Sequence, residues 1–173
     1  MEKVIYFAGG CFWGTEHFFK LINGVIKTQV GYANGITEAP TYQEVCTNTT
    51  HHAETVMVTY DPEKIPLRFL LEMYFKAIDP TLLNQQGHDV GTQYRTGIYY
   101  TDEADVPIIK EVYQEEQKKY KKKMVTEVEP LNCFYTAEEY HQDYLDKNPE
   151  GYCHLPLELF EFAKKFRVLS FEI

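Results

Sequence analysis

The sequence has no apolar run that approaches the roughly 18 residues a membrane-spanning helix needs. The first such stretch, Val4 to Ala8, is also too short for the core of a signal peptide. A soluble, cytoplasmic chain is therefore expected. There is no Cys-x-x-Cys pair: Cys11, Cys46, Cys133 and Cys153 are widely and irregularly spaced, which excludes the local zinc and thioredoxin-type signatures. His51, His52, His88 and His154 match no standard ligand spacing, so no metal is expected. Positive charge is also scarce, the formal net charge being -9, which argues against a nucleic-acid partner. The one basic run, Lys118, Lys119, Lys121, Lys122 and Lys123, reads as the closing turns of a helix, where cations suit the dipole. Internal repeats and low-complexity segments are absent.

What is present is a core. Hydrophobic residues make up 44% of the 173, enough for one domain, expected over residues 1–173 with a loop-rich tail from about 148 that carries Cys153. Residues 3–8 read as a central strand stopped by Gly9-Gly10, and 12–22 as a helix ended by Asn23-Gly24. Strands are expected at 25–32, 53–60, 97–101 and 125–129, and helices at 66–78 and 105–123. Thr136 and Glu139 form a capping-box pattern, which predicts a helix to about Lys147. Residues 36–52 and 81–95 read as polar loops, and the tail from Leu155 has ambiguous periodicity. The order strand, helix, strand, strand, helix, strand is that of a split βαβ unit. The fold expected is α+β: a two-layer α/β sandwich with a ferredoxin-like core, extra helices and a long C-terminal tail.

Chemistry points first to Gly9-Gly10-Cys11-Phe12-Trp13-Gly14. Cys11 falls where a strand hands over to a helix, and the free N–H groups and dipole of that helix favour a nucleophilic thiolate. A buried, inert cysteine is the competing reading; the glycines, which permit a tight turn and close approach of a substrate, favour the reactive one. Phe12 and Trp13 have no obvious core role in the turn and can wall an apolar pocket. Glu54 shares parity with Val56, Val58 and Tyr60, so it projects from the apolar face of its strand. A desolvated carboxyl keeps its proton near neutral pH and can serve as a general acid, unless the strand end lets it reach water. Tyr42, Asp89 and Tyr94 lie in the two polar loops and carry no signal beyond that placement. Cys153 follows the loop-forming Asn148-Pro149-Glu150-Gly151-Tyr152, either an incidental thiol or one that reaches an oxidised partner. Cys46 and Cys133 read as structural or incidental.

Gly10-Cys11-Phe12-Trp13-Gly14 resembles the A-type peptide methionine sulfoxide reductases, and the resemblance covers nearly the whole chain. It continues through Gly31-Tyr32-Ala33-Asn34-Gly35, Pro40-Thr41-Tyr42, His52-Ala53-Glu54, Tyr60-Asp61-Pro62, Asp79-Pro80-Thr81, Gln86-Gly87 and Asp89-Val90-Gly91-Thr92-Gln93-Tyr94-Arg95. It ends with Ala137-Glu138-Glu139-Tyr140-His141-Gln142 and Gly151-Tyr152-Cys153. The resemblance implies a thiol-dependent reductase of methionine S-sulfoxide, free or protein-bound, with no cofactor. Cys11 would attack the sulfoxide sulfur. Glu54 would protonate its oxygen, assisted by Tyr42 and Tyr94. Phe12 and Trp13 would hold the substrate methyl group, and Asp89 would line the site. Cys153 would resolve the Cys11 sulfenic acid as a disulfide, recycled by thioredoxin. A monomer is expected from the acidic surface.

Asn34, Asn48 and His51 stand where the family usually carries glycine, Ile78 where a histidine is common and Gln85 where an arginine is common. None removes a group from this chemistry, but His51 beside the acid is expected to alter its electrostatics or narrow the mouth of the site. Two other readings compete. A peroxide-reducing thiol enzyme would need neither the aromatic pocket nor a protonated Glu54, and a non-catalytic binder of methionine-containing peptides would leave Cys11 idle.

Overall fold

The structure is a computed structural model and describes residues 1–169. Strand β1 (Lys3–Gly9) leads through a Gly10 turn into helix α1 (Phe12–Lys20), then strand β2 (Val25–Ala33). After the short helix α2 (Tyr42–Cys46) come strand β3 (Ala53–Tyr60) and helix α3 (Leu67–Ala77). A two-residue ladder, β4 (Gln85–Gln86) with β5 (Asp89–Val90), precedes strand β6 (Thr96–Tyr100). Helix α4 (Val106–Gln117), strands β7 (Glu127–Pro130) and β8 (Phe134–Thr136), the one-turn helix α5 (Tyr144–Lys147) and helix α6 (Leu157–Leu169) follow.

The main sheet has the order β7-β6-β1-β3-β2-β8. Its middle four strands, β6-β1-β3-β2, are mutually antiparallel, with β1 and β2 joined through α1 and β3 and β6 through α3. This is the ferredoxin-like α+β arrangement, extended by β8 at one edge and by β7, parallel to β6, at the other.

Alternation in the strands decides which side the helices cover. Ile5 and Phe7 of β1 and Val56 and Val58 of β3 are fully buried in the main core with α1 and α3. Phe7 stacks between Phe19 of α1, at 4.8 Å, and Tyr74 of α3, at 4.7 Å, so one side chain holds both helices to the sheet. The Tyr74 hydroxyl donates to Ala8 O at 2.6 Å and accepts from Gly97 N at 3.0 Å, which satisfies it in an apolar setting. The opposite face is thinner. There Ala8, Ala33, Ala53 and Tyr99 are covered by Leu131 and Phe134, and a side chain on Gly31 would fall 2.5 Å from the Phe134 ring.

Several expectations need correction. The loop expected at 36–52 contains α2, whose capping box is Thr41 with Glu44, and the loop at 81–95 contains the β4–β5 ladder. No continuous helix runs from Thr136 to Lys147: Thr136 pairs with Gly31 as the end of β8, and a 3-10 turn (Glu139–His141) and α5 follow. Sheet pairing outbids a local cap when the two compete for the same backbone. The lysine run lies beyond the last turn of α4. The ambiguous tail is helical from Leu157, while residues 170–173 of the expected tail lie outside the described residues. Among the described residues no helix is long and apolar enough to cross a membrane.

Candidate active site

The site forms where β1 stops and β3 continues. The β1–β3 ladder ends at Phe7 and Val56, and the last residues of β1 pair with β6 instead. Glu54, paired with Tyr32 of β2, therefore lies beside the turn that opens α1. Gly10, at φ +87°, makes that turn. Cys11 is the N-cap residue of α1.

Glu54 is 1% exposed and shares the apolar face of β3, as its parity predicts. The backbone N–H of Phe12 donates to its Oε1 at 3.2 Å, whereas Oε2 is buried with no hydrogen-bond partner. Burial, reinforced by the charge of Asp89, raises its pKa from 4.5 to about 8; the Phe12 N–H opposes the rise. Glu54 is therefore a protonated acid at neutral pH, with one oxygen left unpartnered. His51, expected to perturb it, is exposed and contributes nothing to that shift.

Cys11 departs from expectation. Burial, then the charges of Glu54, Asp89 and Cys153, push its thiol well above the ordinary value, and only the backbone N–H of Trp13 pulls the other way. The helix N-terminus is there, but desolvation, the largest cause, outweighs it, so the resting site holds a thiol rather than a thiolate.

Phe12 is a core residue after all, 1% exposed and packed against Tyr32 and His141. Trp13 is only partly buried. Its ring stacks on Tyr144 at 3.7 Å, and its Nε1 donates to His141 Nδ1 at 2.9 Å. Indole nitrogen only donates, so His141 accepts there and carries its hydrogen on Nε2. Burial holds this imidazole below its ordinary pKa, which keeps it in the neutral form that can accept.

Tyr42 opens α2, and Glu138 holds it by accepting from its backbone N–H at 2.9 Å and from the Tyr32 hydroxyl at 2.8 Å. The Tyr42 and Tyr94 hydroxyls both lie in the field of Glu54, and burial followed by that charge pushes both pKa values up. Both remain hydrogen-bond donors at every pH the protein meets. Asp89 accepts from the Tyr152 hydroxyl at 2.9 Å. Cys153 is half-buried against the first turn of α1; a side-chain carbon on Gly14 would fall 2.9 Å from its sulfur. Burial raises its thiol pKa as well.

The structure thus brings together Cys11, Phe12, Trp13, Tyr42, Glu54, Asp89, Tyr94 and Cys153. It also adds residues that sequence reasoning passed over. His141, Tyr144 and Tyr152 support Trp13 and Asp89 from the C-terminal arm; His141 and Tyr152 lie in stretches that carry the family resemblance but had no role of their own there. Cys46, expected to be structural or incidental, lies four residues after Tyr42 on α2, and burial raises its thiol pKa while the Tyr42 side chain lowers it. Asn34, Asn48 and His51 all have positive φ, at 55°, 69° and 59°, which explains why glycine suits those positions and why asparagine is the least costly replacement. Among the described residues no cluster of three or more His, Cys, Asp or Glu is arranged to hold a metal.

A family model described as peptide methionine sulfoxide reductase matches residues 3–168. The chain is 59% identical over 159 residues to the peptide methionine sulfoxide reductase MsrA of Clostridium acetobutylicum, covering 92% of this chain and 98% of that one. Among solved structures it resembles Mxr1 from Saccharomyces cerevisiae in its reduced form, with a TM-score of 0.85 and 43% identity, over 90% of this chain and 92% of that one. It also resembles Mxr1 in complex with Trx2, with a TM-score of 0.60 and 30% identity, over 83% and 84% of the two chains.

Proposed function

The chain belongs to the peptide methionine sulfoxide reductase family and reduces methionine sulfoxide, and from that premise we propose how its residues carry the reaction. A sulfoxide is a poor electrophile until its oxygen is protonated or strongly hydrogen-bonded. The observation that carries the proposal is Glu54: a fully buried carboxyl, protonated at neutral pH, with an unpartnered oxygen beside the Cys11 turn. Glu54 gives its proton to the sulfoxide oxygen, and Tyr42 and Tyr94 donate hydrogen bonds to it. The Cys11 sulfur attacks the substrate sulfur and loses its proton to the vacated Glu54 carboxylate. Oxygen passes to Cys11 as methionine leaves, so Cys11-SH and the sulfoxide become Cys11-SOH and the thioether. Phe12 and Trp13 hold the substrate methyl group, Asp89 lines the approach, and the S epimer is the one taken.

A sulfenic acid over-oxidises readily. Cys153 attacks the Cys11 sulfur; the S–S bond forms as the S–O bond breaks, and the departing hydroxide leaves as water with the Cys153 proton. An external dithiol then supplies two electrons and becomes a disulfide itself. Thioredoxin is the reductant proposed, in keeping with the resemblance to Mxr1 in complex with Trx2. A reducing compartment such as the cytoplasm would keep the chain's cysteines free between turnovers. The 173 residues act as one monomeric catalytic unit on free or protein-bound methionine sulfoxide.

Single-turnover reduction of the two epimers of a methionine sulfoxide peptide, with the cysteines followed by mass spectrometry, tests the scheme. The expected result is methionine from the S epimer only, with Cys11 and Cys153 disulfide-linked afterwards. If folded protein with a free Cys11 reduced neither epimer, the scheme would be wrong from its first step.

A further inference from the structure

His154 follows the proposed resolving thiol and has no part in the scheme above. Its Nε2 lies 3.1 Å from the carbonyl oxygen of Gly9, and its Nδ1 is buried with no hydrogen-bond partner. A carbonyl only accepts, so Nε2 carries a hydrogen. Burial lowers the imidazole's pKa, which favours the neutral form with Nδ1 unprotonated.

The bond reaches an informative place. Gly9 ends β1 two residues before Cys11, and its carbonyl also accepts from the Thr15 hydroxyl at 3.2 Å, which in turn lies 3.2 Å from Cys11 O. The acceptor thus belongs to the turn that presents the nucleophile. Glycines open the space around the ring. A side-chain carbon on Gly10 would fall 3.1 Å from Nε2; one on Gly14 would fall 3.2 Å from Nδ1 and 2.9 Å from Cys153 Sγ. Gly87 closes a third side, 3.6 Å from the His154 Cβ by the same measure. The imidazole and the neighbouring sulfur together fill a niche that the residues before and three after Cys11 leave empty.

We infer that His154 is the positioning residue of the resolving step, its neutral imidazole clamping the Cys153 loop to the Gly9 carbonyl so that the resolving sulfur stays against the turn carrying Cys11. The inference rests on the resolving role proposed for Cys153. The clamp touches neither substrate nor the reacting sulfur. It acts by keeping one thiol at high effective concentration near the other, which matters only after Cys11 has been oxidised.

Rapid-quench measurement of methionine formation and of Cys11–Cys153 disulfide formation, after mixing with the S-sulfoxide peptide, separates the two steps. In His154→Ala the ratio of disulfide rate to methionine rate should fall at least about tenfold. His154→Gln places an amide N–H within the same reach and should recover the ratio to within about threefold of wild type. Gly14→Ala crowds both the Cys153 sulfur and His154 Nδ1 in the same niche and should lower the same ratio with the imidazole N–H still present. An unchanged ratio in His154→Ala or Gly14→Ala would overturn the clamp, as would a Gln variant no faster than the Ala variant. If the wild-type protein formed no Cys11–Cys153 disulfide, the resolving role itself would fall and the clamp with it.

Discussion

The two sides of the active site are held in different ways. Cys11 and Glu54 are fixed by the ferredoxin-like scaffold: Glu54 by ladder pairing with β2, Cys11 by the turn between a core strand and a core helix. The arm of residues 137–155 has almost no ladder. It is attached by individual side-chain bonds to distant residues. Gln142 pairs with both the N–H and the carbonyl of Val30 at 2.9 Å, Asp143 N donates to Glu16 at 2.8 Å, and His141, Tyr152 and His154 reach Trp13, Asp89 and Gly9. A ladder is cooperative and opens only with much of the sheet, whereas a side-chain bond can be broken singly. The bond-making chemistry sits on the first kind of support and the proposed resolving thiol on the second.

The largest effects should therefore come from the scaffold side. Cys11→Ser should lower turnover by about a thousandfold or more, because the proposed reaction runs through its sulfur, while the fold survives. Steady-state assays with circular dichroism check this. Substantial residual turnover would mean that the nucleophile is not on the scaffold and would break the comparison at its root.

Glu54→Gln should slow single-turnover reduction by about a hundredfold or more. Its stability should change in the opposite sense. Glu54 has its pKa raised from 4.5 to about 8, so between those values the native state holds a proton that the unfolded chain releases. Wild-type stability thus falls as pH rises across that window of about 3.5 pH units, a cost of about 5 kcal/mol once pH exceeds about 8. Glutamine carries no such term. Denaturant unfolding should show the variant gaining on wild type by up to that amount between pH 4 and pH 9. The wild-type reduction rate should also fall as pH rises through about 8, a limb the variant lacks. A pH-independent stability difference would show that the carboxyl is not desolvated as the geometry requires.

The same division explains what could be read from the sequence. Alternation of Val56, Val58 and Tyr60 was enough to turn Glu54 toward the helices, because a strand's period leaves only two choices. The apolar spacing of 66–78 gave α3 within a residue at each end, and the element order gave the core topology. The arm gave nothing comparable. Thr136 and Glu139 carry a cap signal, yet Thr136 is pulled into β8 by Gly31, 105 positions earlier in the chain, and no local window contains that competitor. His141, Tyr152 and His154 owe their places to single bonds spanning 128, 63 and 145 positions. The state of Cys11 was misjudged for a related reason: a helix N-terminus is visible in sequence, but burial and the convergence of Glu54 and Asp89 are not.

The smallest predicted effect tests the arm most sharply. Tyr152 is 46% exposed, so Tyr152→Phe loses little packing, and what it removes is the hydroxyl that donates to Asp89. A hydrogen bond to a carboxylate at such a half-open position contributes about 1 kcal/mol, or about fivefold in the population of the docked loop. Disulfide formation should slow by about that factor relative to methionine formation, because Tyr152 adjoins Cys153 and holds the loop from the outer side. Asp89 also acts on Cys11, Glu54 and His154, and its carboxylate, freed of a donor, would raise the acid and the nucleophile slightly further. If arm and scaffold are separate supports, that second influence stays small and the ratio of the two rates carries nearly the whole effect. A larger loss in methionine formation than in disulfide formation would mean that the arm's hold on Asp89 is part of the reduction machinery, and that the two sides of the site are one.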